Sequence, residues 1–283
     1  MIPLNVRRWL LEKGYGEIVG VFPVGGGCIH HAMRLETQKR ISVFLKMNPT
    51  APVDLFAREA EGLHALSVEC GPRVPAVYLY DTDFLLLEDL SPGPRRKDYW
   101  YLLGVRLACL HQVVSSRFGF EHDNYIGSTP QPNAWEADGF RFYAQQRLLF
   151  QAQLALEKGL LDNVQLKQID RLAWRLKDFI PVQPASLLHG DLWSGNMLSD
   201  RNGNPAIIDP AAYYGWAEAE LAMMELFGSL PESFYQAYQS VRPVEAGFKQ
   251  RYPIYNLYHL LNHLNLFGGS YSNAVGEILN RFS

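Results

Sequence analysis

The residues best suited to chemistry lie in one polar stretch, His189-Gly190-Asp191-Leu192-Trp193-Ser194-Gly195-Asn196. Asp191 precedes Asn196 by five positions, and Asp209 follows Asn196 by thirteen, directly after Ile207-Ile208. An Asp, an Asn five residues on and a second acid beyond a hydrophobic run are the groups that phosphoryl transfer needs. That reaction asks for alignment and charge neutralisation rather than covalent help. Asp191 is placed to orient an acceptor hydroxyl and take its proton. Asn196 and Asp209 supply the oxygen ligands that Mg²⁺ prefers, holding it against the phosphates of ATP. Taken singly, His-Gly-Asp and Ser-Gly-Asn are ordinary turn sequences. Their combination with Asp209 in register is what points to catalysis.

The first third of the chain supplies partners for such a site. Gly25-Gly26-Gly27 joins two strand-like runs, where backbone N–H groups could approach phosphates without hindrance from a Cβ. It is not a GxGxxG, and such a loop is also compatible with a plain turn. Lys46 closes the run Val43-Phe44-Leu45, in the manner of a strand lysine that contacts the α- and β-phosphates, and Glu59 on the next helix is its expected ion-pair partner. Glu88-Asp89-Leu90, at a strand-to-helix change, is where backbone groups would read the adenine. On the acceptor side the candidates are Trp193, Tyr213 and Tyr214. Trp193 is equally compatible with packing under the loop, and for Tyr213 and Tyr214 packing inside a helical lobe is the favoured explanation. Cys28, beside the glycines, would sit in an electropositive loop that favours thiolate. The expectation there is oxidation sensitivity, with a Cys28–Cys28 disulfide between two copies of an otherwise monomeric chain.

These residues need two kinds of scaffold. Strand-like runs at 17–23, 30–36, 41–46, 74–80 and 84–88, with a helix over 54–67 opened by Asp54 as N-cap, predict an antiparallel sheet carrying one main helix. A short helix precedes them, with Ile2, Val6, Trp9 and Leu10 on one face and Gly14 as its stop. The pattern changes at Ser91-Pro92-Gly93-Pro94. Helical periodicity then runs through Leu103, Leu107 and Leu110, across 135–158 and 165–179, and again from Ile254 to Leu264. A strand–loop–strand island at 186–209 carries the polar stretch. The fold class expected is α+β, two-lobed and protein-kinase-like. Residues 1–88 form the nucleotide-binding lobe and residues 89–283 a mostly helical lobe with the catalytic loop and acceptor site.

Composition excludes several alternatives. With 26 Lys+Arg against 29 Asp+Glu the net charge is −3, which gives no footprint for nucleic acid or an anionic membrane. Arg7, Arg8, Glu12 and Lys13 interrupt any apolar leader core near the start, and no apolar stretch approaches membrane-spanning length. Three cysteines, Cys28, Cys70 and Cys109, without a CxxC, predict a reducing, cytoplasmic setting and no disulfide framework.

The sequence closely resembles the fructosamine kinase (ketosamine-3-kinase) family, a branch near the aminoglycoside and choline phosphotransferases. The resemblance spans nearly the whole chain. It is carried by Gly26-Gly27-Cys28-Ile29, Leu107-Ala108-Cys109-Leu110-His111, Asp123-Asn124-Tyr125-Ile126-Gly127, Pro130-Gln131-Pro132-Asn133-Ala134-Trp135 and Arg147-Leu148. The His189 to Asn196 stretch is the most specific piece, backed by Asp209-Pro210-Ala211 and Leu266-Phe267-Gly268-Gly269. It implies ATP-dependent phosphorylation of the sugar 3-hydroxyl of ketosamines, free or protein-bound, leading to deglycation of the amine. One segment departs from the family pattern: Trp216, Ala217 and Glu220 stand where such proteins commonly carry Asp, Arg and Asp. The resemblance implies that the last of these supports the catalytic loop, a task Glu220 could perform with a longer reach. Two other readings compete. A kinase of the aminoglycoside or choline type would carry an acidic insert, and none is evident. A non-catalytic nucleotide-binding protein would have lost Lys46, Asp191, Asn196 or Asp209, and all four are present.

Overall fold

The computed structural model describes residues 2–25 and 31–282. Helix α1 (Leu4–Glu12) leads into strands β1 (Ile18–Val24), β2 (His31–Thr37) and β3 (Ser42–Met47), then helix α2 (Leu55–Leu66) and strands β4 (Val77–Tyr80) and β5 (Phe84–Glu88). The strands form one antiparallel sheet in the order β1-β2-β3-β5-β4. Strand β5 reads Phe-Leu-Leu-Leu-Glu without polar alternation because both of its faces are covered. Phe84 and Leu86 pack with Val6 and Leu10 of α1, whereas Leu85 and Leu87 pack with Phe56, Ala60 and Leu63 of α2. The sheet therefore carries a helix on each face. Asp54 does not cap α2 through its side chain; its Oδ1 accepts a 2.7 Å hydrogen bond from the Tyr125 hydroxyl instead.

Beyond Glu88 the chain is mainly helical. Helix α3 (Tyr99–Leu110) is followed by β6 (Val114–Ser115) and the small hairpin β7 (Asn124–Ile126) and β8 (Thr129–Gln131). Helix α4 (Gly139–Tyr143) starts four residues later than the hydrophobic period implies, at Asp138, whose carboxylate accepts from the Phe140 and Arg141 amides. A π-helical turn (Ala144–Leu149) joins it to α5 (Phe150–Glu157), and α6 (Asn163–Trp174) opens with an Asp162/Gln165 capping box. Next come β9 (Ala185–Leu188), β10 (Met197–Ser199), β11 (Pro205–Ile207) and β12 (Tyr213–Gly215). They are followed by α7 (Ala217–Glu225), α8 (Glu232–Val241), α9 (Phe248–Phe267) and α10 (Ser272–Phe282). Leu103, Leu107, Leu148, Leu172, Leu221 and Leu261 belong to one core that these helices share. Among the described residues no helix is long and apolar enough to cross a membrane.

The segment after α2 ties the sheet to the helical part. Arg73 forms a parallel bridge with Ala206, and its guanidinium spans Glu88 and, at 3.0 Å, Asp200. Cys70, just beyond α2, is joined to Cys109 of α3 by a disulfide with the Cα atoms 5.9 Å apart. The expectation of no disulfide is thus overturned. The partners lie 39 residues apart, and only the docking of this segment onto α3 brings them together.

Candidate active site

A cleft of about 470 Å³ opens between the sheet and the helices, and the polar island forms one of its walls. β10 and β11 pair antiparallel, so Asn196, just before β10, lies close to Asp209, just after β11. Ile208 closes this link by donating its N–H to the Asn196 carbonyl at 3.1 Å. Asn196 donates from Nδ2 to the Asp191 carbonyl at 2.8 Å and to Asp191 Oδ2 at 3.4 Å. Its Oδ1 is the atom left for a cation. Asp209 has a φ of +57°, a left-handed conformation that Asp tolerates better than most residues.

The N-terminal groups meet the same point. Lys46 Nζ lies 2.7 and 2.8 Å from the two Glu59 carboxylate oxygens and 3.1 Å from Asp209 Oδ1. Lys46 comes from β3 and Glu59 from α2, both buried, so sheet, helix and island are fixed to one another by charge. Burial alone would lower the Lys46 pKa, but the Asp209 and Glu59 carboxylates raise it above its ordinary value and keep the ammonium charged. The Asp191 carboxyl is raised as well, here in favour of its neutral form: burial first, then the charges of Asp209 and Glu220, lift it well above the usual range.

A pillar beneath the loop holds Asp191. Glu220 of α7, fully buried, accepts from the Gly190 amide at 2.8 Å, from the His189 amide at 3.1 Å and from His111 Nε2 at 3.0 Å. Burial would raise its pKa, but hydrogen bonds from His111 and Gly190, with the neighbouring histidines, bring it below its ordinary value. As Glu220 is an ionised acceptor, His111 carries its proton on Nε2 and receives the Tyr238 hydroxyl at Nδ1, 2.7 Å away. His189 donates from Nε2 to the Ile208 carbonyl at 2.8 Å and accepts the Asp191 amide at Nδ1, so it buttresses the loop and does not face the cleft. Gly190 has a φ of +84°, and a Cβ there would collide with the Ala211 carbonyl. Glu220 therefore makes the loop contact expected of it, despite its extra methylene. Of the other two departures, Trp216 is buried among Phe140, Tyr143 and Tyr255, and Ala217 is buried at the start of α7.

Another part of the lining is aromatic, and it meets the polar island at Trp193. Trp193, Phe227, His263, Phe267 and Tyr271 form it, with Phe227 6.0 Å from Trp193 and 5.4 Å from His263, and Tyr271 5.2 Å from His263. Burial pushes His263 down to about 4, so it is neutral near pH 7, and its buried Nδ1 has no hydrogen-bond partner among the described residues.

Three comparisons bear on this arrangement. The family model described as fructosamine kinase matches residues 7–282. The chain belongs to the fructosamine kinase family. It is 42% identical to a ketoamine kinase candidate from Synechocystis, covering 90% of this chain and 88% of the relative. It is 39% identical to the chloroplastic protein-ribulosamine 3-kinase of Oryza sativa subsp. japonica, covering 98% of this chain and 83% of that protein. A solved structure of a fructosamine-3-kinase candidate from Thermobifida fusca superposes with a TM-score of 0.88 at 32% identity, covering 99% and 98% of the two chains. The choline kinase of Streptococcus pneumoniae shares the fold, with a TM-score of 0.64 at 14% identity over 98% and 100% of the chains. The two-lobed kinase-like architecture and the phosphotransferase class follow.

Within this fructosamine kinase family member, the cleft gathers Lys46, Glu59, Asp191, Trp193, Asn196 and Asp209. Tyr213 and Tyr214 do not line it, which corrects their placement on the acceptor side. Tyr213 is buried under the Arg147 guanidinium, 4.0 Å from its ring centre, and Tyr214 packs beside Phe120 and Trp135. Glu88 donates its amide to Ala76 and pairs its carboxylate with Arg73. Asp89 is buried, accepting from the Ser42 hydroxyl and from the Ser91 amide at 2.9 Å, and Leu90 is buried beside it. Gly25 is exposed at the end of β1, while Gly26, Gly27 and Cys28 lie outside the described residues. Phe227, His263, Phe267 and Tyr271 were not singled out as acceptor-side residues. The available signal was the spacing of His263 and Phe267, one helical turn apart and next to the family-like Leu266-Phe267-Gly268-Gly269.

Proposed function

We propose that this enzyme transfers the γ-phosphoryl group of ATP to the 3-hydroxyl of a ketosamine, with Asp191 as the base and the aromatic wall as the acceptor platform. The observation carrying this reading is the convergence of Asp191, Asn196, Asp209 and the Lys46–Glu59 pair on one cleft whose lining is in part aromatic. Asp191, at the cleft beside Asn196 and Asp209, is placed to accept the hydroxyl proton as the new P–O bond forms and the bond to ADP breaks, and burial raises its basicity. Lys46 holds its positive charge next to Asp209, where the phosphates would lie. Asn196 Oδ1 and the Asp209 carboxylate are hard oxygen donors, and the described residues contain no cluster of three or more acidic, His or Cys ligands. Two oxygens suit Mg²⁺, which takes most of its remaining ligands from phosphates and water. When bound, that ion would offset phosphate charge.

The aromatic wall carries no carboxylate, so it suits a sugar face or the alkyl stem of an amine adduct better than a polycationic aminoglycoside. The ribulosamine kinase relative supports a ketosamine acceptor. Residues 1–88 would hold the nucleotide, with Gly25 to Gly27 over the phosphates and residues 88–90 beside the adenine. Monomers joined through Cys28 under oxidation remain part of this reading, and non-reducing electrophoresis after mild peroxide treatment checks it. The main test is Mg-ATP turnover with ribulosamine and fructosamine acceptors. Acceptor-dependent ADP release that collapses in Asp191→Asn is expected. ATP binding without turnover of either acceptor would reject the ketosamine assignment.

A further inference from the structure

The reading above leaves unexplained the family-like residues Asn124, Gln131, Asn133 and Arg147, which are all buried. Only Asn124 borders the cleft. Burying four such polar groups is costly unless each is satisfied. The Arg147 guanidinium donates to the Pro132 carbonyl at 2.6 Å and to Asn133 Oδ1 at 2.7 Å. Asn133 Nδ2 donates to Asn124 Oδ1 at 3.0 Å, and Gln131 Nε2 donates to the same oxygen at 2.7 Å. Two donors on that oxygen fix the Asn124 amide, so its Nδ2 points at the Ala212 carbonyl, 2.8 Å away. Gln131 also donates to the Ala211 carbonyl at 3.0 Å, and its Oε1 is pinned by the Tyr258 hydroxyl at 2.5 Å.

The chain of bonds ends on two consecutive carbonyls, two and three residues beyond Asp209. Asp209 is in the left-handed region, and such a conformation persists where its flanks are over-determined. Upstream the flank is held by His189 Nε2 on the Ile208 carbonyl and by the Ile208 amide on Asn196. Downstream, besides the 2.9 Å bond from the Ala211 amide to the His189 carbonyl, the grip comes from Gln131 and Asn124. Arg147 has no carboxylate partner among the described residues. Its cation is flanked by the rings of Tyr213, Phe142 and Tyr258, 4.0, 4.6 and 5.5 Å away, and it sits on the π-helical turn, a feature frequent at functional sites.

We propose that the buried chain Arg147–Asn133–Asn124–Gln131–Tyr258 is a positioning device that sets the posture of Asp209 for the divalent cation. The proposal rests on the reading of Asp209 as a metal ligand. Its test is Mn²⁺ binding, followed by electron paramagnetic resonance, to the full chain with a non-hydrolysable ATP analogue, in Gln131→Met, Tyr258→Phe and Asp209→Ala. The thermal midpoint and the acceptor KM are measured beside it. Asp209→Ala is expected to lose Mn²⁺ affinity by about 100-fold or more, Gln131→Met by about tenfold, and Tyr258→Phe by about threefold, with each fold-change scaling as one or more lost hydrogen bonds would. The acceptor KM should hold within about twofold, since none of the network's side chains is among the aromatic residues that line the cleft. Unchanged Mn²⁺ affinity in Asp209→Ala would reject the ligand reading itself. Loss in Asp209→Ala with wild-type affinity in folded Gln131→Met and Tyr258→Phe would overturn the positioning role alone. Should Gln131→Met fail to fold, Tyr258→Phe, which removes a single hydroxyl, decides.

Discussion

The two walls of the cleft are built by different physics. On the catalytic wall each side chain is cross-braced: Lys46 by two carboxylates, Asp191 by Asn196, and the loop beneath by Glu220. The aromatic wall is held by ring contacts of 5–6 Å, and His263 Nδ1, buried among those rings, has no hydrogen-bond partner among the described residues. Directional bonds fix atoms to tenths of an ångström, as in-line transfer requires. Ring packing tolerates substitution, which suits selection among related acceptors. Changes on the first wall should therefore act on kcat, and changes on the second on the acceptor KM.

The largest effect expected is from Asp191→Asn, which keeps the shape but removes the proposed base. Turnover should fall on the order of 10³-fold, within the range for general base catalysis, with ATP affinity nearly unchanged. Steady-state kinetics and calorimetric ATP titration check both halves. A loss below tenfold would remove Asp191 from the role of base.

Next in size is the cross-link behind the catalytic wall. The disulfide ties the end of α2, which carries Glu59, to α3. Cys70→Ser should cost about 2–4 kcal/mol of stability, and reductant should bring the native chain to the same melting temperature. The acceptor KM should not change, because the aromatic wall belongs to other elements. A melting curve insensitive to both treatments would show that the cross-link contributes nothing to the fold.

A third and smaller effect separates the walls from the other side. Phe267 is 52% exposed, so its truncation should leave the fold intact. Phe267→Ala is expected to raise the acceptor KM about tenfold while kcat moves by less than about threefold. A fall in kcat at constant KM would mean that the second wall also aligns the reacting hydroxyl.

How far the sequence reveals these walls follows from the same difference. The catalytic wall was legible because Asp191, Asn196 and Asp209 lie within one short stretch, where a loop fixes their spacing. The sheet and the helices were legible because apolar periods of two and 3.6 persist over whole elements. The aromatic wall was not, because His263 and Phe267 sit one turn apart on a helix, a pattern that packing alone also produces. Tyr213 and Tyr214 illustrate a second limit. Adjacent strand residues must face opposite sides, but only the folded chain shows that one side is core and the other the Phe120–Trp135 surface. The Cys70–Cys109 pair is a third, since its closeness depends entirely on tertiary docking.

The last effect concerns protons, and again it divides between the walls. His111 and His189 lie under the catalytic loop, while on α9 His263 lines the aromatic wall and His259 lies behind it. Burial lowers all four below the ordinary 6.5, His259 to about 3 and His263 to about 4. A histidine with a depressed folded pKa takes up its proton only on unfolding. Stability is therefore full above pH 6.5 and declines as the pH falls below it, by about 1.4 kcal/mol per pH unit down to about pH 4 for His263 and about pH 3 for His259. His259 is buried with Nδ1 unpartnered, so it contributes without anchoring the loop. His259→Gln should flatten the fall in stability between pH 6.5 and 5 by one proton's worth, measured from denaturant unfolding at several pH values. Catalysis at pH 7.5 should be unchanged, because the side chain reaches neither Asp191 nor Asp209. A slope identical to the native chain would mean that His259 is already free to protonate in the folded state, and that α9 opens to water behind the aromatic wall while the braced wall stays closed.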